Sequence, residues 1–173
     1  MLNLRITDAD FYKNSQAEYL SNAGRYGARG VVQNEEGQVI LMYMASKNRY
    51  KLPGGGIEPD ETKEEAFKRE VLEETGYGCE IISYLGTVDE HKYRNNFRQQ
   101  SYCFYAKTVG QRKETHLTPK EEQLGFTMLC FTMDDAINIM KKTIEEDNEY
   151  GMKFMLKRDL TILEYVKGAL NNE

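Results

Sequence analysis

The sequence predicts an α/β (α+β) layered domain. Short apolar runs of strand length lie on both sides of one well-punctuated helical segment at residues 62–76, and two further segments of helical period follow it. Strands and helices in this alternation bury their apolar faces by stacking in layers.

The elements follow in order. Residues 1–24 read as an N-terminal extension of unassigned structure. Arg29-Gly30-Val31-Val32-Gln33 and Val39–Met44 read as two strands around the turn Asn34-Glu35-Glu36-Gly37, a hairpin pattern. Leu52-Pro53-Gly54-Gly55-Gly56 then breaks the chain. Thr62 with Glu65 three residues on makes a capping box, acidic residues crowd the first turn where the helix dipole favours them, and Gly76 closes the helix. Residues 80–88 read as a strand and 89–96 as a polar loop. Residues 97–108, with Tyr102 and Phe104, read as another strand, 109–119 as a charged loop and 126–131 as a last strand. Asp134 opens a helix to about residue 144, with Ala136, Ile137 and Met140 on one face. Residues 150–170 place Met152, Leu156, Leu160, Leu163 and Val166 at helical spacing.

Length and composition bound the rest. A chain of 173 residues is expected to form one domain, residues 1–173, with 1–24 as the extension and 134–171 as the C-terminal helices. No apolar stretch is long enough to span a bilayer, and the N-terminal residues are polar and acidic rather than signal-like. Cys79, Cys103 and Cys130 have no metal-binding spacing, so they are expected to be buried free thiols in a reducing cytoplasm. A net charge of −5 argues against bulk binding to nucleic-acid backbones. It does not argue against a polyphosphate, because bound divalent cations invert the local field.

The chemistry concentrates on the first helix. Glu70 and Glu74 are four residues apart and Glu73 is three from Glu70, so the carboxylates share one side of the helix. Carboxylates this close repel unless a cation sits among them. A solvated acidic face is the alternative, and at this point it stays open. Hard oxygen donors suit Mg2+ or Mn2+ rather than zinc.

The stretch GGIEPDETKEEAFKREVLEETGY, residues 55–77, resembles the signature G-x5-E-x7-R-E-U-x-E-E-x-G-U of the Nudix (MutT-like) hydrolases, with U a bulky apolar residue. Gly55, Glu61, Arg69, Glu70, Val71, Glu73, Glu74, Gly76 and Tyr77 fill its specified positions. The resemblance implies an α/β/α sandwich with a mixed β-sheet, and an enzyme that hydrolyses a pyrophosphate bond in a nucleoside diphosphate linked to another moiety. It implies Glu70, Glu73, Glu74 and the Gly54 carbonyl as ligands of Mg2+, with Glu73 a ligand or general base. Arg69 and Glu61 would orient a catalytic carboxylate. A later base is expected at Glu122 or its neighbour Glu121, with an N-capping or solvated turn as the alternative role for that pair.

The implied partner is a small nucleotide. Tyr93 lies where dinucleoside polyphosphate hydrolases often carry a tyrosine, so Tyr93 and Arg98, in the loop 89–98, are the expected substrate-binding residues. Two other classes remain: a catalytically silent nucleotide sensor, and an RNA 5′-pyrophosphohydrolase. The complete R-E-x-x-E-E set argues against the first and the missing basic stripe against the second. A homodimer is compatible with the sequence.

Overall fold

The computed structural model describes residues 1–172. Its elements are β1 (Leu2–Ile6), β2 (Arg25–Gln33), β3 (Val39–Met44), β4 (Arg49–Lys51), β5 (Gly54–Gly56), α1 (Lys63–Thr75), β6 (Gly78–Lys92), β7 (Phe97–Val109), α2 (Pro119–Leu124), β8 (Phe126–Phe131), α3 (Met133–Glu146) and α4 (Tyr150–Leu170). The strands form one mixed sheet in the order β1-β6-β7-β2-β3-β4, with β5 paired to β2 and β8 to β3. The β1–β6 and β2–β7 pairs are parallel, and the other pairs are antiparallel.

Strand alternation sends successive side chains to opposite faces. Ala28, Val32, Ile40, Phe104 and Ala106 pack with Ala66, Phe67 and Val71 of α1. Val31, Leu41, Cys103 and Tyr105, their neighbours in sequence, join the core formed with α3 and α4. This is the expected α/β/α layering.

Several boundaries differ from the sequence expectation. Leu2–Ile6, expected to lie in an unassigned extension, is an edge strand parallel to β6. Gly54–Gly56 is not only a break, because it pairs with Gly27–Arg29 of β2. The strand expected to end at residue 88 continues to Lys92. Its last residues look like a loop in sequence because they are charged. They are buried through ion pairs instead: Asp89 with Arg98 at 2.9 Å and Glu90 with Arg158 at 2.8 Å. Residues 119–124 form a short helix rather than the end of a loop. Among the described residues, no helix is long and apolar enough to cross a membrane. All three cysteines are free, with Cys79 and Cys103 buried and Cys130 only half-buried.

Candidate active site

α1 positions the acidic residues, and its ends are fixed locally. The Thr62 hydroxyl accepts from the Glu65 N–H at 3.2 Å and the Glu65 carboxylate accepts from the Thr62 N–H at 2.8 Å, a closed capping box. Gly76 ends the helix in the left-handed region at φ 78°.

Arg69 organises the carboxylates around it. Its Nε and Nη2 donate to the two oxygens of Glu61 at 2.7 and 3.1 Å. Its Nη1 donates to Glu70 at 2.9 Å and Glu73 at 3.2 Å, and Nη2 also reaches the Gly56 carbonyl at 3.0 Å. These bonds, Arg69's first among them, hold the Glu61 carboxyl below the usual range. Burial pushes Glu70 up, against the pull of Arg69 and Lys51.

Glu74 is almost fully buried. It accepts from Lys51 Nζ at 2.6 Å and from the Gly54 N–H at 3.0 Å. Burial raises its pKa, and Lys51 counters the rise. Lys51 Nζ also donates to the Gly54 carbonyl at 2.9 Å. The sequence reading did not single out Lys51, although it directly precedes the Leu52-Pro53-Gly54 turn.

A third carboxylate joins from α2. One oxygen each from Glu70, Glu74 and Glu121 lie within 4.8 Å of one another, the group of that kind found among the described residues. Thr118 caps α2 with a box closed by Glu121, whose carboxylate accepts from the Thr118 N–H at 2.8 Å. Of the expected pair Glu121 and Glu122, it is Glu121 that stands with Glu70 and Glu74. A helix turns about 100° per residue, so the two side chains point in different directions. Glu121 lines the cavity and Glu122 is absent from its wall. The signal was present as Thr118-x-x-Glu121, the capping-box spacing. Glu73, expected as a ligand, also lies outside the group of three, on Arg69 at the cavity wall.

The connection before α2 is tied to the end of α1. The N–H groups of Lys113 and His116 donate to the Gly76 and Glu73 carbonyls at 2.7 and 2.8 Å. Arg112 Nε donates to the Thr75 carbonyl at 3.0 Å.

The cavity holds about 680 Å³, a size suited to a small organic ligand. Its lining includes the acidic residues Glu58, Glu70, Glu73 and Glu121 and the basic residues Arg25, Arg29, Lys92 and Arg158. Neither of the expected substrate contacts, Tyr93 and Arg98, lines this cavity. Tyr93 lies in a single 3-10 turn at the tip of the β6–β7 hairpin and is 47% exposed. Arg98 is used by Asp89 and by the Ser21 carbonyl at 2.9 Å.

The donor set fits a hard divalent cation: three carboxylates and a backbone carbonyl, all oxygen. A cation already sits on part of that set, since the Lys51 ammonium bridges Glu74 and the Gly54 carbonyl.

Residues 24–153 match the sequence model of the NUDIX domain. A putative 8-oxo-dGTP diphosphatase from Bacillus subtilis is 34% identical over 84 residues, covering 49% of this chain and 54% of that protein. A putative nudix hydrolase from Caenorhabditis elegans is 30% identical over 128 residues, covering 70% of this chain and 33% of that protein. The chain thus spans about half, or less, of the length of these curated relatives. Among solved structures, an ADP-ribose pyrophosphatase from Streptococcus suis superposes with a TM-score of 0.56 at 17% identity, covering 84% of this chain and 90% of that one. A Nudix hydrolase from Nitrosomonas europaea gives 0.56 at 20% identity, covering 68% and 78%. At these identities the likeness is one of fold. With the signature helix in place and the family's sequence model matched over most of this chain, residues 24–153, the chain belongs to the NUDIX domain family.

Proposed function

We propose that this protein hydrolyses a pyrophosphate bond in a nucleoside diphosphate linked to another group, and that it requires Mg2+, with Mn2+ able to replace it. The observation that carries this reading is the convergence of Glu70, Glu74 and Glu121 within 4.8 Å, with Glu70 and Glu121 on the wall of a nucleotide-sized cavity and Glu74 buried behind it. Glu70, Glu74, Glu121 and the Gly54 carbonyl would hold the cation. When bound, it supplies charge neutralisation for the phosphate oxygens and a more acidic attacking water.

The chain's own residues supply the rest. Glu73 is 35% exposed at the side chain, faces the cavity and is tethered to Arg69. It is placed to take a proton from water, a role that typically contributes about 10²–10⁴-fold. Arg69 and Glu61 act through it, fixing its position and that of Glu70 without touching the reacting atoms. The two relatives above are named for diphosphatase or nudix hydrolase activity. A cytoplasmic location, in keeping with three free thiols, is part of the same reading.

The test is a substrate panel with Mg2+, read by release of phosphate or phosphomonoester. It contains nucleoside triphosphates, oxidised guanine nucleotides, dinucleoside polyphosphates, ADP-ribose, nucleotide sugars and a 5′-triphosphate RNA. At least one member should be cleaved, and cleavage should stop in chelator. Cleavage that survives exhaustive metal removal, or none across the panel, overturns the reading.

A further inference from the structure

The turn that presents the Gly54 carbonyl depends on side chains for much of its hold. Only Leu52 and Pro53 separate β4 from β5, and proline has no N–H to give. Gly54 itself sits at φ 141°, a region that favours glycine. A Cβ there would stand 2.4 Å from the Ala28 carbonyl oxygen. Glycine is also the freest residue in the chain, so its carbonyl points only as firmly as the surroundings fix it.

Beyond the pairing of β5 with β2, those fixings can be traced one by one. The Pro53 carbonyl accepts from the Gly30 N–H at 3.2 Å. The Gly54 N–H donates to Glu74 at 3.0 Å, and the Gly54 carbonyl accepts from Lys51 Nζ at 2.9 Å. The last is the Leu52 N–H, which donates to Oδ2 of Asp159, in α4, at 2.9 Å. Leu52 and Asp159 are both fully buried, so this N–H has no water to turn to.

Asp159 is fixed in its turn. Its Oδ1 accepts from Arg158 Nε at 2.7 Å, and Arg158 Nη1 donates to Glu90 of β6 at 2.8 Å. The charges of Asp159 and Glu90 also act on Arg29. A carboxylate suits this position because one oxygen takes the guanidinium while the other takes the peptide N–H. Met152, Met155 and Arg158 line the cavity from the same helix. One helix thus walls the cavity and, through Asp159, grips the turn beside the acidic cluster.

We propose that Asp159 is a positioning residue for the reaction. Through Leu52 it holds the turn so that the Gly54 N–H and carbonyl stay on Glu74 and Lys51, where the cation would bind. It touches neither substrate nor cation. The inference rests on the metal-dependent reading above and has a readout that does not need the metal.

The experiment compares wild type, Asp159→Asn and Asp159→Leu by amide hydrogen exchange, Mg2+ calorimetry and melting curves. Asparagine keeps an acceptor for the Leu52 N–H, and leucine keeps none. In Asp159→Leu the Gly54 amide should exchange at least about tenfold faster relative to the amides of β7, a central strand that reports opening of the whole fold. Its Mg2+ affinity should fall about ten- to a hundredfold, the usual effect of losing a partner behind a metal ligand. Asp159→Asn should melt lower than wild type, because Arg158 loses a charged partner, yet keep exchange and Mg2+ affinity closer to wild type than Asp159→Leu does. If Asp159→Leu does not fold, replacing the Leu52 amide by an ester, which removes the N–H and leaves every side chain in place, should give the same two losses. Exchange that quickens equally at Gly54 and in β7 overturns the proposal, since the effect is then on stability alone. So does unchanged Mg2+ affinity beside a wild type that binds Mg2+, or an equal loss in the asparagine and leucine variants, which would assign the effect to charge. A wild type that binds no Mg2+, with Gly54 loosened selectively in Asp159→Leu, fails the hydrolytic reading alone.

Discussion

The Glu70 carboxylate occupies the space that a side chain at Gly55 would fill, for a Cβ built on Gly55 would stand 2.4 Å from the Glu70 carboxyl carbon. The glycine of the signature is therefore, in this chain, a packing partner of the acidic helix as well as a turn former. Gly55→Ala should push Glu70 out of the group with Glu74 and Glu121. The expected result is weaker Mg2+ binding by calorimetry and a stability loss of about 1–3 kcal/mol, the usual cost of overpacking.

Lys51 and Glu74 neutralise each other where both are out of solvent, with side-chain exposures of 10% and 1%. Removing the cation alone should be expensive. Lys51→Met should destabilise the metal-free protein by about 3 kcal/mol or more, the penalty for leaving a buried carboxylate unpaired. Lys51→Met with Glu74→Gln should recover much of that loss. Divalent metal should raise the melting temperature of Lys51→Met more than that of wild type, and thermal scans with and without Mg2+ measure it.

Glu121→Gln and Glu122→Gln form a matched pair. Glutamine still closes a capping box, so neither variant should lose much stability. Glu121→Gln should weaken metal binding and lower kcat/KM by about tenfold or more, since loss of one ligand charge costs at least as much as loss of an outer-shell partner. Glu122→Gln should stay within about twofold, because surface changes away from special features are nearly neutral. A deficit in Glu122→Gln with a normal Glu121→Gln would return the base to the position first expected from sequence.

Tyr93→Ala should alter KM equally for a dinucleoside polyphosphate and a mononucleotide, and by less than about twofold, since the residue lies outside the cavity wall and is half exposed. A selective rise for the dinucleotide in steady-state kinetics would put the hairpin tip back in contact with a second base.

Thiol reactivity follows from burial. Desolvation raises Cys79 to about 11 and Cys103 to about 12. A raised thiol pKa leaves the protonated, unreactive form at neutral pH. At pH 8 the Cys79 thiolate fraction is then about one in a thousand. Alkylation followed by mass spectrometry should label half-buried Cys130 first. Labelling of Cys79 and Cys103 should require denaturant or a pH approaching their raised values.

The parts of this molecule legible in sequence are those governed by local rules. Thr62, Glu65 and Gly76 mark the ends of α1 because caps need only neighbours a few residues away. The ion pairs of Arg69 with Glu61 and Glu70 were legible only through the resemblance to the Nudix signature, since nothing local ties Glu61, outside the helix, to Arg69 eight residues on. What was hidden depends on long-range partners. Asp89 and Glu90 read as loop because the arginines that bury them stand at positions 98 and 158. Leu2–Ile6 alternates apolar and polar residues but is too short for that period to stand out, and its place is set by the edge of β6. Arg29 sits inside an apolar run and gave no hint that it reaches a cavity floor. Glu121 and Glu122 could be separated only by their phase on a six-residue helix, too short for its apolar period to declare it.

The placement of the third carboxylate has a kinetic consequence. Glu70 and Glu74 lie before the β6–β7 hairpin and Glu121 lies after it, and the connection through Lys113 and His116 is fastened to the end of α1. The three negative charges therefore meet only once the longest pairing in the sheet is in register, so their mutual repulsion is absent from the early, loop-closing part of folding. Interactions formed after the transition state govern how fast a protein opens rather than how fast it closes. In chevron measurements, divalent cation should thus flatten nothing on the refolding limb and slow unfolding, making the occupied site a clasp on the finished chain.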